Sequence, residues 1–472
     1  VSPPEPPRLG AVFAVVAAGV AMSNLDVFIV NVALPEIGDH FAPASLSSLS
    51  WVLNAYAVIF AALLVPAGGY ADRTGPKRAY LVGTTVFTLA SILCALAPDV
   101  WTLVAARAVQ ASGAALLVPS SLGLLLATAP PERRVPAVRA WTAISGLAAA
   151  LGPVAGGLLT ELDWRWVFLV NVPVGLAVLI AAPRLIPATG GAVTGRGDRP
   201  ETAGPDVLGA VVLTVAIASL ALGLVKSDDW GWASGGVVGT LVAALVLLAW
   251  FVLRSARHPQ PVLPLPLLRV PGFSSATLAN VLFAVAFAAM LLSAVLWCQQ
   301  AWHWSALRTG LAIAPGPLVV PALAIGVGPI ARRVGAGLVA ASGCVVFAAG
   351  IAWWAWQMDP DTGYAAGMLP GMLLTGIGVG LTLPTLVGAA VSALPPQSFS
   401  TGSGVVTMAR QVGTVLGISM LVAALGSSDD GGRDAGAMLG AFDDGWLLTL
   451  LATAAAAAAC LLIRRPRPAD ES

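Results

Sequence analysis

Two charged side chains, Asp26 and Arg107, interrupt long apolar stretches of this 472-residue chain. In hydrocarbon each costs at least about 2.5–3.5 kcal/mol at the centre of a helix, so such residues persist where they pair or where they work. Arg keeps its proton inside a protein, whereas Asp can gain one. An Asp–Arg pair is therefore a one-proton switch: protonating Asp26 releases Arg107 and lets the elements that carry them part. The plainer alternative is a permanent ion pair that only fixes packing. Arg410 is a third charge within an apolar run. It either belongs to a substrate cavity or caps carbonyls and snorkels to a surface. Gly152-Pro153 removes a backbone hydrogen bond and leaves a groove for a neighbouring helix. Asn54, Tyr56, Gln110 and Trp141, with Trp51, are the residues that would line a cavity of aromatic walls and few polar points. Membrane aromatics also serve as interfacial anchors, and Trp51 sits near the end of its run.

Other chemistry is missing. The sequence holds no Ser-His-Asp arrangement, no metal-ligand spacing, no phosphate-binding loop and no dinucleotide fingerprint. Neither an enzyme nor an ATP-driven pump is expected, and no cofactor beyond protons as coupling ion. Cys94, Cys298, Cys344 and Cys460 lie in apolar runs without a CxxC, which reads as small buried hydrophobes. A net charge of +1 with no basic stripe argues against nucleic acid as a partner.

The elements that must position these residues follow from composition. Hydrophobic residues make up 58% and charged residues 10% of the chain, far below the quarter or so that a soluble surface needs. The outer surface must face lipid. A bilayer core of about 30 Å takes roughly 20 apolar residues per helix. Runs of that length fall near 10–33, 51–71, 79–98, 101–124, 138–160, 166–185, 206–225, 234–254, 273–297, 308–330, 336–357, 365–388, 402–425 and 445–463, which makes fourteen. With both termini placed in the cytoplasm, eighteen of the 24 Lys and Arg fall inside and only Arg165, Lys226, Arg308 and Arg433 outside, as the positive-inside rule requires. Asp26 and Arg107 then both sit roughly 6–8 Å outward of the midplane, at a depth that permits pairing. The proline-rich start reads as a solvated tail, not as a cleavable leader.

An internal repeat runs through the chain. Ala71, Arg73, Gly75, Gly83, Val86 and Phe87 match Ala331, Arg333, Gly335, Gly343, Val346 and Phe347, and Gly113, Pro119 and Gly123 match Gly378, Pro384 and Gly388. The expected organisation is a six-helix bundle over 1–185, an inserted pair over 186–260 and a second bundle over 261–472. Repeated halves with a midplane site between them are a transporter architecture. Arg107 aligns with Met372 and Asp72 with Arg332, so the coupling chemistry belongs to the first half.

Within this frame GGYADRTGPKR (Gly68 to Arg78) resembles the signature loop of the major facilitator superfamily. Its Asp72, at a helix end, would attract a helix N-terminus or an Arg by about 0.3–2 kcal/mol, which suits a gate that closes and reopens. LDVFIVNVALP from Leu25, LVAARAVQASGAAL from Leu103, WRWVFLVNVPVG from Trp164 and MARQVGTVLG in the thirteenth run resemble the fourteen-helix drug:proton antiporter family. Ala111 stands where that family's fourth-helix motif has glycine. GPVAGG, with Gly152, Pro153, Gly156 and Gly157, is similar to the fifth-helix motif of exporters. The resemblance implies an all-α membrane protein of the major facilitator fold, two six-helix pseudo-repeats plus two inserted helices. Asp26 and Arg107 are the expected proton-coupling pair, and Gly68, Asp72, Arg73, Gly75 and Arg78 the expected conformational gate. The expected function is proton-driven export of small lipophilic compounds, cationic or neutral, by a monomer in the lipid of a bacterial inner membrane. A lipid or glycolipid exporter on the same fold is the alternative, although the loops are short for it.

Overall fold

The computed structural model describes residues 9–186, 206–395, 398–426 and 435–463, and among these every regular element is helical. Among the described residues, thirteen helices are long and apolar enough to cross a membrane. A fourteenth rod, Pro131–Thr160, has a shorter apolar part, Ile144–Thr160. In chain order the rods are α1 (Leu9–His40), α2 (Leu46–Thr74), α3 (Pro76–Ala95), α4 (Val100–Thr128), α5 (Pro131–Thr160) and α6 (Trp166–Leu185). Then come α7 (Val207–Val225), α8 (Gly235–Arg257) and α9 (Pro271–Leu296), which ends in a π turn, Trp297–Ala301. The remainder are α10 (Ala306–Ile313 continued by Pro315–Val334), α11 (Ala336–Gln357), α12 (Met368–Ser392), α13 (Phe399–Leu425) and α14 (Ala435–Leu461).

Several ends differ from the hydropathy reading, among them the start of α5, at Pro131 rather than near 138. α1 runs on through Pro35 to His40. α2 starts earlier, at Leu46, where Ser45 caps it by accepting from the Ser48 amide. α14 begins before Asp443 and Asp444, so both acids lie inside the helix on its exposed side. Hydropathy reports the depth of hydrocarbon, whereas a helix continues for as long as its backbone hydrogen bonds do.

The bundle has a basic end (Arg73, Lys77, Arg254, Arg257, Arg332, Arg333) and an opposite acidic end (Asp39, Asp99, Glu161, Asp163, Asp229, Asp359). Its flanks expose large apolar side chains such as Leu245, Trp356 and Leu451, the surface a lipid environment demands.

The repeat seen in sequence is a repeat in packing. A Cβ on Gly83 of α3 would lie 2.8 Å from the Gly113 carbonyl of α4, and one on Gly113 would lie 2.6 Å from the Phe87 amide. In the second half a Cβ on Gly343 of α11 would lie 3.0 Å from the Gly378 carbonyl of α12, and one on Gly378 would lie 2.7 Å from the Phe347 amide. Small residues at matching positions let both helix pairs approach backbone to backbone. The turns that precede them repeat as well: Gly75 and Gly335 take φ of 90° and 108°, a region open to glycine.

The inserted pair packs as a hairpin, α7 on α8, and α7 lies against both α2 and α13, one from each half. Asp206, buried at the start of α7, caps it through the Gly209 amide (2.7 Å) and pairs with Arg254 of α8 at 2.7 Å. The halves meet along α2 and α13, where Asn54 donates to Ser419 at 3.2 Å, and at the acidic end. There Gln299 donates to the Val32 carbonyl at 3.0 Å.

Candidate functional site

The site is built on α4. Asp99 caps this helix by accepting from the amides of Trp101 (2.9 Å) and Thr102 (3.0 Å). The Thr102 hydroxyl and these amides hold the exposed Asp99 carboxyl below its usual range. Two turns in from the cap, Arg107 and Gln110 share one face of the helix and are both buried.

Arg107 Nη1 meets Asp26 Oδ2 of α1 at 2.5 Å, with exposures of 1% and 0%, so the pair is sealed from solvent. The other carboxylate oxygen, Oδ1, accepts from Gln110 Nε2 and from Asn171 Nδ2 of α6, each at 2.9 Å. Gln110 also accepts from Arg107 at 2.6 Å and donates to Ser91 of α3 at 2.9 Å. Arg107 Nε donates to the Val52 carbonyl of α2 at 3.2 Å, and the guanidinium lies 4.2 Å from the centroid of the Tyr56 ring. The Tyr56 hydroxyl is 3.4 Å from the Ser23 hydroxyl on α1. Five helices, α1, α2, α3, α4 and α6, therefore converge on one carboxylate–guanidinium pair.

Glycines make this convergence possible. Gly83 and Gly113 bring α3 against α4, so that Ser91 reaches Gln110. Ala111 stays fully buried beside them, and the close approach is made by Gly113. Gly175 faces the Thr88 hydroxyl with no room for a Cβ, which sets Asn171, one turn earlier, within reach of Asp26.

The GPVAGG segment is a seam. Gly152 lies directly against Phe28, and a Cβ on Gly156 would stand 2.9 Å from the Ile29 carbonyl, so both press α5 onto α1 beside Asp26. Gly157 faces the other half, where its Cβ would stand 2.6 Å from the Ala306 carbonyl of α10. Gly310 of α10 packs in turn on the Pro153 carbonyl. The exporter-like motif thus joins the ion-pair helix to the second half at the acidic end.

At the basic end Arg73 donates to Gln260, beyond the inserted pair, at 2.8 Å. Lys77 caps the C-terminus of α6 by donating to the carbonyls of Pro183 (3.0 Å) and Ile186. Gly75 makes the turn, Arg78 is exposed, and Gly68 has open space around it. The Asp72 side chain lies outside the described residues.

The residues expected to line a cavity divide. Tyr56 and Gln110 are buried in the cage of the ion pair, and Asn54 is buried in the α2–α13 contact. All three pack against protein in this structure. Trp141 is half-buried and donates from its indole to Ser121 at 3.1 Å. Arg410 is half-buried on α13, a helix that contributes nothing to the ion-pair cage. Sequence reasoning missed Asn171 and Ser91. Asn171 carried a signal, as a lone polar residue in the apolar run after Trp166; Ser91 carried none. Among the described residues no group of His, Cys, Asp and Glu is placed to hold a metal.

Comparison with known proteins agrees with this architecture. Residues 16–418 match the model of the Major Facilitator Superfamily. The chain is 33% identical to the methylenomycin A resistance protein of Streptomyces coelicolor, over 89% of this chain and 86% of that protein. It is 34% identical to the cephamycin export protein CmcT of Amycolatopsis lactamdurans, over 86% and 83%. It is 32% identical to the multidrug resistance protein Stp of Mycobacterium tuberculosis, over 85% and 73%. A solved auto-inhibited POT-family peptide transporter superposes with a TM-score of 0.64 at 18% identity, over 98% of each chain, and shares the fold. With the helices, the repeat and the family match in agreement, the chain is a multi-pass membrane protein that belongs to the Major Facilitator Superfamily.

Proposed function

We propose that the protein is a proton-coupled antiporter that exports small lipophilic compounds such as drugs, dyes or antibiotics by alternating access. The observation that carries this reading is the sealed Asp26–Arg107 pair, held by Gln110 and Asn171, on helices that lead directly into the seam between the halves. Asp26 is the proton carrier. Ionised, it locks α1 to α4 and α6; protonated, it loses the attraction of Arg107, and α1 is freed to move with α5 at the acidic end. Asp72, Arg73 and Gly75 act at the basic end as the opposing gate.

The energetics suffice with a single acid. One proton crossing about 150 mV yields roughly 3.5 kcal/mol at ~2.3 per 100 mV, enough to sustain a gradient of a few hundredfold for a neutral substrate. Export is supported by the GPVAGG seam and by relatives whose names record resistance or export. The protein works as a monomer in a bacterial plasma membrane with both termini in the cytoplasm.

The test uses inverted membrane vesicles and a fluorescent lipophilic compound. An imposed proton gradient, acid inside, should drive its accumulation, and an uncoupler should abolish it. Accumulation that is indifferent to the gradient, or that needs ATP hydrolysis, contradicts the reading.

A further inference from the structure

Arg410 is an intramembrane charge that the coupling site does not use. The position of its side chain follows from the contacts of α13. Gly413 and Gly417 pack on the Val281 and Val285 backbone of α9. Gly404 and Ser419 face Val65 and Asn54 of α2. Val405, Met408, Val412 and Val415 share an apolar cluster with Ala57 and Ala61 of α2 and with Ala210, Leu213 and Ile217 of α7. At 3.6 residues per turn, the remaining face carries Ser403, Thr407, Arg410 and Thr414. It lies between the contacts that α13 makes with α2 and those it makes with α9, where the two halves meet. All four residues are half-buried. A polar stripe at i, i+4, i+7 and i+11 on one face of a membrane helix is placed to meet something other than lipid.

The stripe holds a charge without a counterion. Among the described residues no ion pair or hydrogen bond reaches the Arg410 guanidinium. The Thr407 and Thr414 hydroxyls turn back onto their own helix. Asp26 is committed to Arg107, and Asp206 to Arg254 at the basic end. Among the described residues, this face therefore carries one uncompensated positive charge. It repels the lipophilic cations that the sequence suggested as substrates and attracts their opposite. A guanidinium is, in addition, the planar fork that matches a carboxylate bidentately.

We propose that Arg410 is the anchoring residue for a carboxylate on the exported compound, so that the substrates are lipophilic organic anions. This rests on the export reading above and names its substrate class. It also changes the charge movement. Exporting a monoanion against one entering proton moves two charges per cycle in the direction the membrane potential favours, where a neutral substrate moves one.

The test is equilibrium binding to the purified full-length protein at fixed pH, with no gradient, so it is separate from the vesicle experiment on coupling. The probes are dansylglycine, its methyl ester, and dansylamidoethyl-trimethylammonium, which share one fluorophore and differ in charge. Dansylglycine should bind at least tenfold more tightly than the ester and more tightly still than the cation. Arg410→Gln should lower dansylglycine affinity tenfold or more while leaving the ester within threefold, and Arg410→Lys should restore most of the loss. A carboxylate that binds no better than the ester or the cation overturns the assignment. So does an Arg410→Gln variant that weakens all three probes equally.

Discussion

Arg107 holds Asp26, Gln110 and the Val52 carbonyl at once, with its cationic face over Tyr56. Removing either partner of such a pair strands a buried charge, at a cost of about 3–5 kcal/mol, whereas removing both charges is far milder. Arg107→Gln and Asp26→Asn should therefore each lower thermal stability in detergent, and the double variant should be more stable than Arg107→Gln alone. Additive losses in the double variant would mean that the two residues are not coupled in this way. The pair was legible in the sequence because a charge in an apolar run is expensive enough to require a reason. Ser91 and Asn171, which complete its hydrogen bonding, are neutral and cost little in a helix. Their role comes only from the approach of α3 and α6 to the carboxylate. Tyr56 and Gln110 were noticed as polar, and in the structure they pack around the ion pair; polarity alone does not say whether a side chain meets a cavity or a buried ion pair.

Between helices, glycine decides where backbones touch. Gly83 and Gly343 occupy equivalent contacts in the two halves, so Gly83→Val and Gly343→Val should each destabilise by about 1–3 kcal/mol through overpacking. Denaturation that separates the two variants widely would argue against equivalent packing. Gly157 differs, because its neighbour Ala306 belongs to the other half. Gly157→Leu should push α5 away from α10 and open the acidic end. Spin labels at Leu162 and Leu311, both exposed, should then move apart. An unchanged distance distribution, with only a loss of stability, would make the motif a packing detail. The repeat itself was readable from spaced glycines. Helix ends were not: α1 passes Pro35 and Glu36, and α14 takes in Asp443 and Asp444, beyond the point where apolar composition stops.

Across the whole molecule, charge sorts by end, with Arg254, Arg257, Arg332 and Arg333 at one and Asp99, Glu161 and Asp229 at the other. A cysteine at Asp229 should react with a membrane-impermeant maleimide added outside intact cells, and one at His258 should not. Labelling at His258 would invert the orientation. In the proposed cycle one proton joins the two ends, with Asp26 changing its protonation as the seam at the acidic end opens. Substrate-induced proton release from the purified protein, followed with a pH indicator in weakly buffered detergent, tests this most directly. The wild type should release protons as substrate saturates, and Asp26→Asn should still bind substrate and release none. Release from Asp26→Asn at the wild-type stoichiometry would show that the pair is structural and that the coupling proton is carried elsewhere.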